Sequence, residues 1–203
     1  MITIIDYGLG NLGSISNMFK RIDVKCEITA DPDVIDKAEK ILLPGVGAFD
    51  AAMNRINERG LVEVLNKKAL VDRVPFLGIC LGMQLLTDKS EEGELQGLGY
   101  IKGVTRKFKF QDKVLKVPHM GWNIVNWKNS SLINLDMEQD EQRFYFVHSF
   151  YVKCENNDNV IGETEYGFKF DSVIQSDNVF GAQFHPEKSH RFGLKFFSNF
   201  SKI

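Results

Sequence analysis

The run from Val74 to Gln84 limits the possible folds of this chain more than any other segment. Its first part, Val74–Ile79, is a short apolar stretch typical of a buried strand, and Leu81–Leu86 follows with the composition of a helix. Cys80 lies at the junction, with a glycine two residues before it and another two residues after it. This is the pattern of a nucleophile elbow, a sharp strand-to-helix turn in which glycines let the chains approach closely. The pattern predicts an α/β fold with Cys80 at a strand end.

Cys80 is a candidate nucleophile. A helix N-terminus stabilises a thiolate, and its backbone N–H groups can bind an oxyanion. The alternative is a buried structural cysteine, because free cysteine is among the most buried residue types. A cysteine nucleophile requires a base, and the base requires a group that orients it.

His185 is the candidate base among the four histidines of the chain. It follows the apolar run Val179–Phe184 and precedes Pro186, which cannot continue a strand. Glu187 lies two residues further, so an extended backbone would place it on the same side as His185, where it can hold the imidazole in one tautomer. The residues therefore predict a Cys80, His185, Glu187 triad, with an incidental surface loop as the alternative.

A glycine turn follows another apolar run, Ile41–Leu43, within the sequence Pro-Gly-Val-Gly. Gly45 and Gly47 permit positive φ angles, so the N–H groups between them can point into a cleft as an anion-binding nest. Together with the N–H of Leu81, one of these groups could bind the oxyanion of an acyl-transfer reaction.

Six motifs in the same order resemble those of class I (triad) glutamine amidotransferases, and more narrowly those of the glutaminase subunits of imidazole glycerol phosphate synthases. Together they cover essentially the whole chain. The motifs are Ile5–Leu12, Leu43–Phe49, Gly78–Gln84, Val117–Asn123, Phe144–Phe150 and Gly181–Ser189.

The resemblance implies that Cys80 attacks the carboxamide of L-glutamine, that His185 held by Glu187 transfers the protons, and that no cofactor or metal takes part. It also implies oxyanion donors and substrate-binding positions. The donors correspond to the N–H groups of Val46 and Leu81, and the substrate-binding positions to Gly45, Gly47, Gln84, His148, Ser149 and Phe150.

The resemblance further implies a partner. A glutaminase of this type passes ammonia through a closed interface to a synthase, here a (β/α)-barrel cyclase subunit in a heterodimer. The positions that would face it are Asn11, Trp122, Tyr145 and Lys188. Without the resemblance, Trp122 and Tyr145 would be interpreted as ordinary half-buried aromatic residues.

Three alternatives remain open at this stage. The first is a paralogous glutaminase subunit that supplies ammonia to a sugar amidotransferase of surface-polysaccharide synthesis. This branch is resembled by the segments His190–Gly193 and Gln175–Asn178 and by the phenylalanine at position 150. The second is a non-catalytic regulatory subunit, against which all three triad positions are filled. A cysteine peptidase is the third alternative, but Gln84 and the His148-Ser149 segment favour a small amide substrate.

Composition restricts the class of protein. The chain has 203 residues, 43% of them hydrophobic, which predicts one globular domain over residues 1–203. A net charge of −2 argues against nucleic acid as a partner. The sequence has neither an apolar run of transmembrane length nor a signal peptide, and its three widely spaced cysteines are typical of reduced thiols, so we expect a cytoplasmic protein with no membrane contact.

Strands and helices alternate in the first half, which predicts a three-layer, flavodoxin-like α/β fold with a mostly parallel central sheet. The predicted strands are Thr3–Asp6, Cys26–Thr29, Lys40–Leu43 and Phe76–Ile79, and the helices Leu12–Ile22, Ala48–Asn57 and Leu61–Leu70. The second half predicts additional antiparallel strands at Val104–Phe110, Asn123–Trp127, Phe144–Val152, Val160–Glu165, Phe168–Gln175 and Val179–Phe184, and a closing helix over Arg191–Phe200. Lys128–Gln142 is expected to be a polar, acidic surface segment.

The glycines at positions 8, 10 and 13 also match the spacing of a dinucleotide-binding loop. The later motifs require a different site, so these glycines are expected to allow tight packing of a strand on a helix.

Overall fold

The computed structural model describes residues 1–110, 115–137 and 141–203. The first half alternates strands and helices, as its pattern predicts. The strands are β1 (Ile2–Ile5), β2 (Cys26–Thr29), β3 (Ile41–Leu43) and β4 (Phe76–Ile79), and the helices are α1 (Leu12–Lys20), α2 (Pro32–Ile35), α3 (Phe49–Glu58), α4 (Leu61–Asn66) and α5 (Leu81–Leu85).

The second half contributes most of the remaining strands and one long helix. The strands are β5 (Lys89–Ser90), β6 (Gly103–Lys107), β7 (His119–Ile124), β8 (Asn126–Trp127), β9 (Arg143–His148), β10 (Phe150–Cys154), β11 (Val160–Glu165), β12 (Lys169–Ser176) and β13 (Val179–Ala182). The chain ends in α6 (His190–Lys202).

A central sheet joins eleven of these strands in the described ranges, with the main order β2-β1-β3-β4-β13-β12-β10-β6-β5 and with β11 pairing with β12 and β8. Five neighbouring strands, β2, β1, β3, β4 and β13, pair in parallel. The next strand, β12, pairs antiparallel with β13, β10 and β11. The sheet is therefore parallel on one side and largely antiparallel on the other, which confirms the predicted fold class.

Helices cover both faces of the parallel part. Along β3, Ile41 and Leu43 pack into one hydrophobic cluster with residues of α3 and α4, whereas Leu42 packs into a second cluster with residues of α1 and α6. This alternation follows from the two-residue repeat of a strand. The central strands β3 and β4 are buried on both faces and carry no polar side chain. In the described ranges, no helix is long and apolar enough to cross a membrane.

The predicted strand Phe144–Val152 is in fact two strands in different sheets. β9 pairs with β7 in a separate two-stranded sheet, and β10 enters the central sheet, with the break at Ser149. The Ser149 carbonyl accepts the N–H of Phe108 where the chain crosses between sheets. A continuous apolar run does not reveal a change of pairing partner, because both strands are half-buried.

Other boundaries shift by a few residues. In two further places the predicted element is interrupted or changes its type. The predicted strand Asn123–Trp127 is interrupted at Val125, since β7 begins earlier, at His119, and β8 pairs with β11 instead. The helix predicted to reach Leu70 ends at Asn66 and continues as a π-helix over Lys67–Val71.

The segment 128–142 is more than a polar surface segment, which corrects that expectation. Ile133 and Met137 are buried in the core. The Asn199 side chain, from α6, donates hydrogen bonds to the carbonyls of Ile133 and Leu135 at 3.1 and 2.9 Å. Ile133 belongs to a short 3-10 helix, Leu132–Asn134, and Leu135 follows directly after it. Residues 138–140 lie outside the described ranges.

The glycines of the first loop have different roles. Gly8 packs closely against α3, because a Cβ there would lie 2.6 Å from Arg55 Nη1. Gly8 and Gly10 have φ angles of 87° and 122°, which favour glycine. A Cβ added at Gly13 would meet nothing within 4 Å, so the expected close contact of strand and helix is absent at that position. The Asn11 side chain accepts the Ser14 N–H at 3.4 Å and caps α1.

Candidate active site

Cys80 lies in a strained turn between β4 and α5. Its φ and ψ angles are 55° and −110°, in a region that non-glycine residues rarely adopt. A Cβ at Gly82 would lie 1.9 Å from the Leu43 carbonyl oxygen, and one at Gly78 would lie 2.6 Å from the Gly82 carbonyl oxygen. The two glycines therefore let β3, β4 and α5 approach closely enough to form the elbow, as the sequence predicts.

His185 is held against the neighbouring sheet. β13 ends at Ala182, earlier than predicted, and the His185 N–H donates to the Tyr145 carbonyl at 2.8 Å. Glu187 follows in a 3-10 helix over Pro186–Lys188, not in the extended backbone that was expected. The tight turn nevertheless places Glu187 Oε1 2.8 Å from His185 Nδ1. Both side chains are buried, at 4% and 2% exposure.

The charge state of His185 depends on its two neighbours. Burial by itself lowers its pKa, but hydrogen bonding and charge interactions with Cys80 and Glu187 outweigh this and raise the pKa to about 10. The other ring nitrogen, Nε2, is buried and has no partner in full hydrogen-bond geometry. Cys80 and His185 thus interact without a closed hydrogen bond, and such catalytic bonds often tighten only when substrate binds.

The loop after β3 is held in place by a buried tyrosine. Tyr7 Oη donates to the Pro44 carbonyl at 2.7 Å. Gly45 packs against this hydroxyl, because a Cβ there would lie 2.5 Å from Tyr7 Oη. Gly45 is buried behind the residues that line the pocket, so its contact with substrate stays a prediction. Val46 and Gly47 (φ 104°) do reach the pocket.

These elements enclose a pocket of about 370 Å³. Predicted site residues make up most of its lining, and the structure adds Glu92, Pro118 and Val147. The lining consists of Val46, Gly47, Cys80, Leu81, Gln84, Glu92, Pro118, Val147, His148, Ser149, Phe150, His185 and Lys188. Glu92 was missed because it belongs to the polar loop after β5, which has no motif of its own; its carboxylate accepts the Phe49 N–H at 2.9 Å.

The His148 side chain has a structural task. Its Nδ1 donates to the Phe150 carbonyl at 2.7 Å, and its Nε2 accepts from His119 Nδ1 at 2.9 Å. Burial lowers the pKa values of His148 and His119 to about 3 and about 4, so both rings are neutral. Since both ring nitrogens of His148 are engaged, its side chain has no nitrogen free for substrate, and only its backbone can serve the predicted substrate-binding role.

The predicted partner-facing residues form one group beside the pocket, apart from Asn11. Trp122 and Tyr145 are paired across β7 and β9, with ring centroids 6.1 Å apart. Lys188 Nζ lies 5.5 Å from the centre of the Tyr145 ring. His190, which was not predicted, stacks on Trp122 at 5.2 Å between centroids. In the residues that the structure describes, no group of three His, Cys, Asp or Glu side chains could hold a metal ion.

Comparison with known proteins gives the same family. The profile of the family described as glutamine amidotransferase class-I matches residues 3–202. A curated relative from Methanococcus maripaludis, named imidazole glycerol phosphate synthase subunit HisH 2, is 52% identical and covers 100% of this chain and 99% of its own length. A relative from Bdellovibrio bacteriovorus, named imidazole glycerol phosphate synthase subunit HisH, is 46% identical, with 100% of both chains covered.

Solved structures agree at the level of the fold. A structure titled glutamine amidotransferase superposes with a TM-score of 0.77 at 14% identity and covers 100% of both chains. The structure of PurLQS from Thermotoga maritima gives a TM-score of 0.73 at 17% identity and covers 99% of this chain and 97% of its own. With the profile matched over nearly its whole length and full-length relatives at such identity, the chain belongs to the class-I glutamine amidotransferase family.

Proposed function

We propose that this chain is the glutaminase subunit of an imidazole glycerol phosphate synthase. It hydrolyses L-glutamine to glutamate through Cys80 and delivers the ammonia to a cyclase subunit. The observation that carries the chemistry is the 2.8 Å contact between His185 Nδ1 and Glu187 Oε1, in a pocket that also exposes the Cys80 elbow. The names of the full-length relatives support the assignment to this synthase.

In the first step the thiolate of Cys80 attacks the carboxamide carbon of glutamine. The thiol proton passes to His185 Nε2, which the raised pKa of His185 favours. The new S–C bond converts the carbonyl oxygen to an oxyanion. The N–H groups of Val46 and Leu81, which both line the pocket, are the proposed donors to it.

In the second half of the reaction the C–N bond breaks. The His185 imidazolium gives its proton to the leaving nitrogen, which departs as ammonia and leaves a γ-glutamyl thioester on Cys80. Water then attacks the thioester, with neutral His185 as the base, and the S–C bond breaks to release glutamate and restore the thiol. Glu187 stabilises the imidazolium in both halves.

Glu92 is proposed to bind the α-ammonium group of glutamine. It lines the same pocket as Cys80, and one of its oxygens already accepts the N–H of Phe49 at the start of α3. A carboxylate held in this way is oriented before the substrate arrives. Gln84 and the backbone of Ser149 and Phe150 complete the proposed binding surface.

The partner is proposed to be a (β/α)-barrel cyclase that docks on Trp122, Tyr145 and Lys188. These residues lie beside the pocket mouth, where Trp122 is 46% exposed. We expect the chain alone to hydrolyse glutamine slowly, because ammonia released into water is lost and a partner-dependent oxyanion loop avoids this. A rotation around Gly45 and Val46 is the proposed switch.

The experiment measures glutamate release from glutamine by the purified chain, alone and with the cyclase subunit from the same source and its nucleotide substrate. Strong stimulation is expected. Cys80→Ala is the control and is expected to abolish hydrolysis while it still binds the cyclase. Hydrolysis that persists in Cys80→Ala would refute the proposed chemistry.

A second acceptor remains a candidate on one specific feature. His190, which stacks on Trp122 at 5.2 Å, belongs to the segment His190–Gly193 that resembles the sugar-amidotransferase branch. If both proteins are folded and the cyclase gives no stimulation, the synthase of that branch becomes the proposed partner.

A further inference from the structure

We propose that the Gln183 carboxamide is a further catalytic residue, which donates a hydrogen bond to the Cys80 sulfur and stabilises its thiolate. This inference rests on the proposed function, in which Cys80 is the nucleophile. Gln183 immediately follows β13 and is completely buried. Its Nε2 lies 3.8 Å from Cys80 Sγ, a distance within reach of a hydrogen bond to sulfur.

The direction of this hydrogen bond follows from a chain of neighbouring groups. The Phe150 carbonyl can only accept, and it faces Gln84 at 3.3 Å, so the Gln84 atom that faces it is Nε2. The second N–H of the same Nε2 faces Gln183 at 3.2 Å, so the Gln183 atom there must be the accepting Oε1. The other end of the Gln183 carboxamide, Nε2, is therefore the end that faces the sulfur.

The Phe150 carbonyl, where this series of hydrogen bonds begins, is itself held in place. His148 Nδ1 donates to the same Phe150 carbonyl at 2.7 Å, which holds the carbonyl in one orientation. The Gln183 backbone is also held, because its N–H donates to the Ser172 carbonyl at 2.9 Å. With both ends constrained, the Gln183 side chain cannot turn its oxygen towards Cys80 without losing the bond from Gln84.

The chemistry of sulfur makes this donor selective. A neutral thiol is a weak acceptor, whereas hydrogen bonds to a charged acceptor are roughly twice as strong as those between neutral groups. An N–H that is aimed at the sulfur from a buried position therefore favours the thiolate over the thiol. Gln183 and His185 therefore have complementary roles. His185 takes the proton from the Cys80 thiol, and Gln183 stabilises the negative charge that remains on the sulfur.

The test follows alkylation of Cys80 by iodoacetamide as a function of pH in the full chain, quantified by mass spectrometry of the Cys80 peptide. This readout reports the thiolate directly and does not require glutamine turnover, so it stays informative if the proposed function fails. Gln183→Met keeps the volume of the side chain and removes the donor. We expect the pH at half-maximal alkylation to rise by about one unit, since one hydrogen bond to a charged group is worth roughly that shift.

A second variant guards against a purely structural effect. Gln183→Glu keeps the shape and the bond from Gln84 but turns an oxygen towards the sulfur, so we expect a larger upward shift than in Gln183→Met. Gln175→Met is the matched control, because Gln175 lies on the adjacent strand β12 and bonds to Ser131 and Asp177 instead. It should leave the alkylation midpoint unchanged.

Internal references are present in the same digest. Burial raises the pKa of Cys154 to about 12, so its peptide should stay unmodified while the chain is folded. His185 and Tyr7, which interact electrostatically with Cys80, are unchanged in every variant. An unshifted midpoint in both Gln183 variants, with Cys154 still protected, would overturn the proposal. A shift in both variants, larger for Gln183→Glu, with none in Gln175→Met, would establish it.

Discussion

His119 Nδ1 and His148 Nε2 lie 2.9 Å apart, in a pair of neutral imidazoles buried beside the pocket that contains Cys80. Further hydrogen bonds extend from both histidines. Asn123 Nδ2 donates to His119 Nε2 at 3.2 Å, and His148 Nδ1 donates to the Phe150 carbonyl at 2.7 Å. Every proton in this chain of hydrogen bonds has one position, so protonation of either ring would break a bond inside the core.

This pair predicts a loss of stability in mild acid. The folded pKa values, about 4 and about 3, lie below the unfolded value near 6.5, so the unfolded state binds more protons between pH 6.5 and 4. The free energy of unfolding should fall by on the order of 3 kcal/mol for each ring over that window, measured by urea titration. His185 does not offset this trend, because its raised pKa contributes stability that is complete below pH 6.5 and is lost as the pH rises towards 10.

The variant His119→Gln tests the origin of that pH dependence. Its amide can still donate to His148 but does not titrate, so the dependence should become about half as steep. His190→Gln, at an exposed histidine, is the control and should retain the full dependence. Equal slopes in all three proteins would show that the buried pair is not responsible.

Tyr7 should control the position of the oxyanion loop. Tyr7→Phe removes the hydrogen bond to the Pro44 carbonyl and should cost about 1–2 kcal/mol of stability. It should also lower kcat for glutamine roughly 10-fold, with a small change in KM, because the proposed donors are held less firmly. Steady-state kinetics with the partner present is the measurement.

Tyr100→Phe is the matched control for Tyr7→Phe. Tyr100 Oη donates to Asn66 Oδ1 at 2.8 Å, away from the loop, and burial raises the pKa of both tyrosines. The control should lose similar stability and keep its kcat. A Tyr7→Phe enzyme with unchanged kcat would contradict the anchoring role.

Gly82→Ala should disrupt the elbow. A Cβ there would lie 1.9 Å from the Leu43 carbonyl oxygen, and backbone on both sides cannot give way easily. We expect a loss of about 3 kcal/mol and a lower Tm. Gly13→Ala, where a Cβ meets nothing within 4 Å, should instead stabilise α1 by about 0.5–1 kcal/mol. If both variants had the same Tm, close approach at Gly82 would not be a constraint.

Glu187→Gln should separate the charge of Glu187 from its position. The amide can still accept from His185 Nδ1, but the carboxylate that raises the pKa of His185 is gone. We expect kcat/KM for glutamine to fall by about 10²–10⁴ and the pKa of His185, followed by NMR, to decrease. Glu63→Gln, on the exposed side of α4, is the control. Full activity in Glu187→Gln would exclude Glu187 from the proposed triad.

Local sequence patterns were sufficient for the strands of the first half of the fold, although they did not predict the short helix α2. The strand-like runs and their glycine turns predicted β1 to β4 within a residue or two, because each element is defined by neighbours in the chain. The same holds for the elbow, since Gly78, Cys80 and Gly82 form a local turn. The side chains of His185 and Glu187 are also in contact as predicted, although through a 3-10 helix. Residues separated by two positions can reach each other in either an extended or a 3-10 backbone.

The sequence by itself therefore determined the alternating elements and the residue types that carry the chemistry. Only the tertiary structure decided which distant groups meet: that β9 leaves the central sheet at Ser149, that Glu92 reaches the pocket, and that Gln183 faces Cys80. These contacts depend on strand pairing between segments far apart in the chain. The physical reason is that the packing of the whole core sets the register of each strand and the sheet to which it belongs. No single segment of the sequence contains that information.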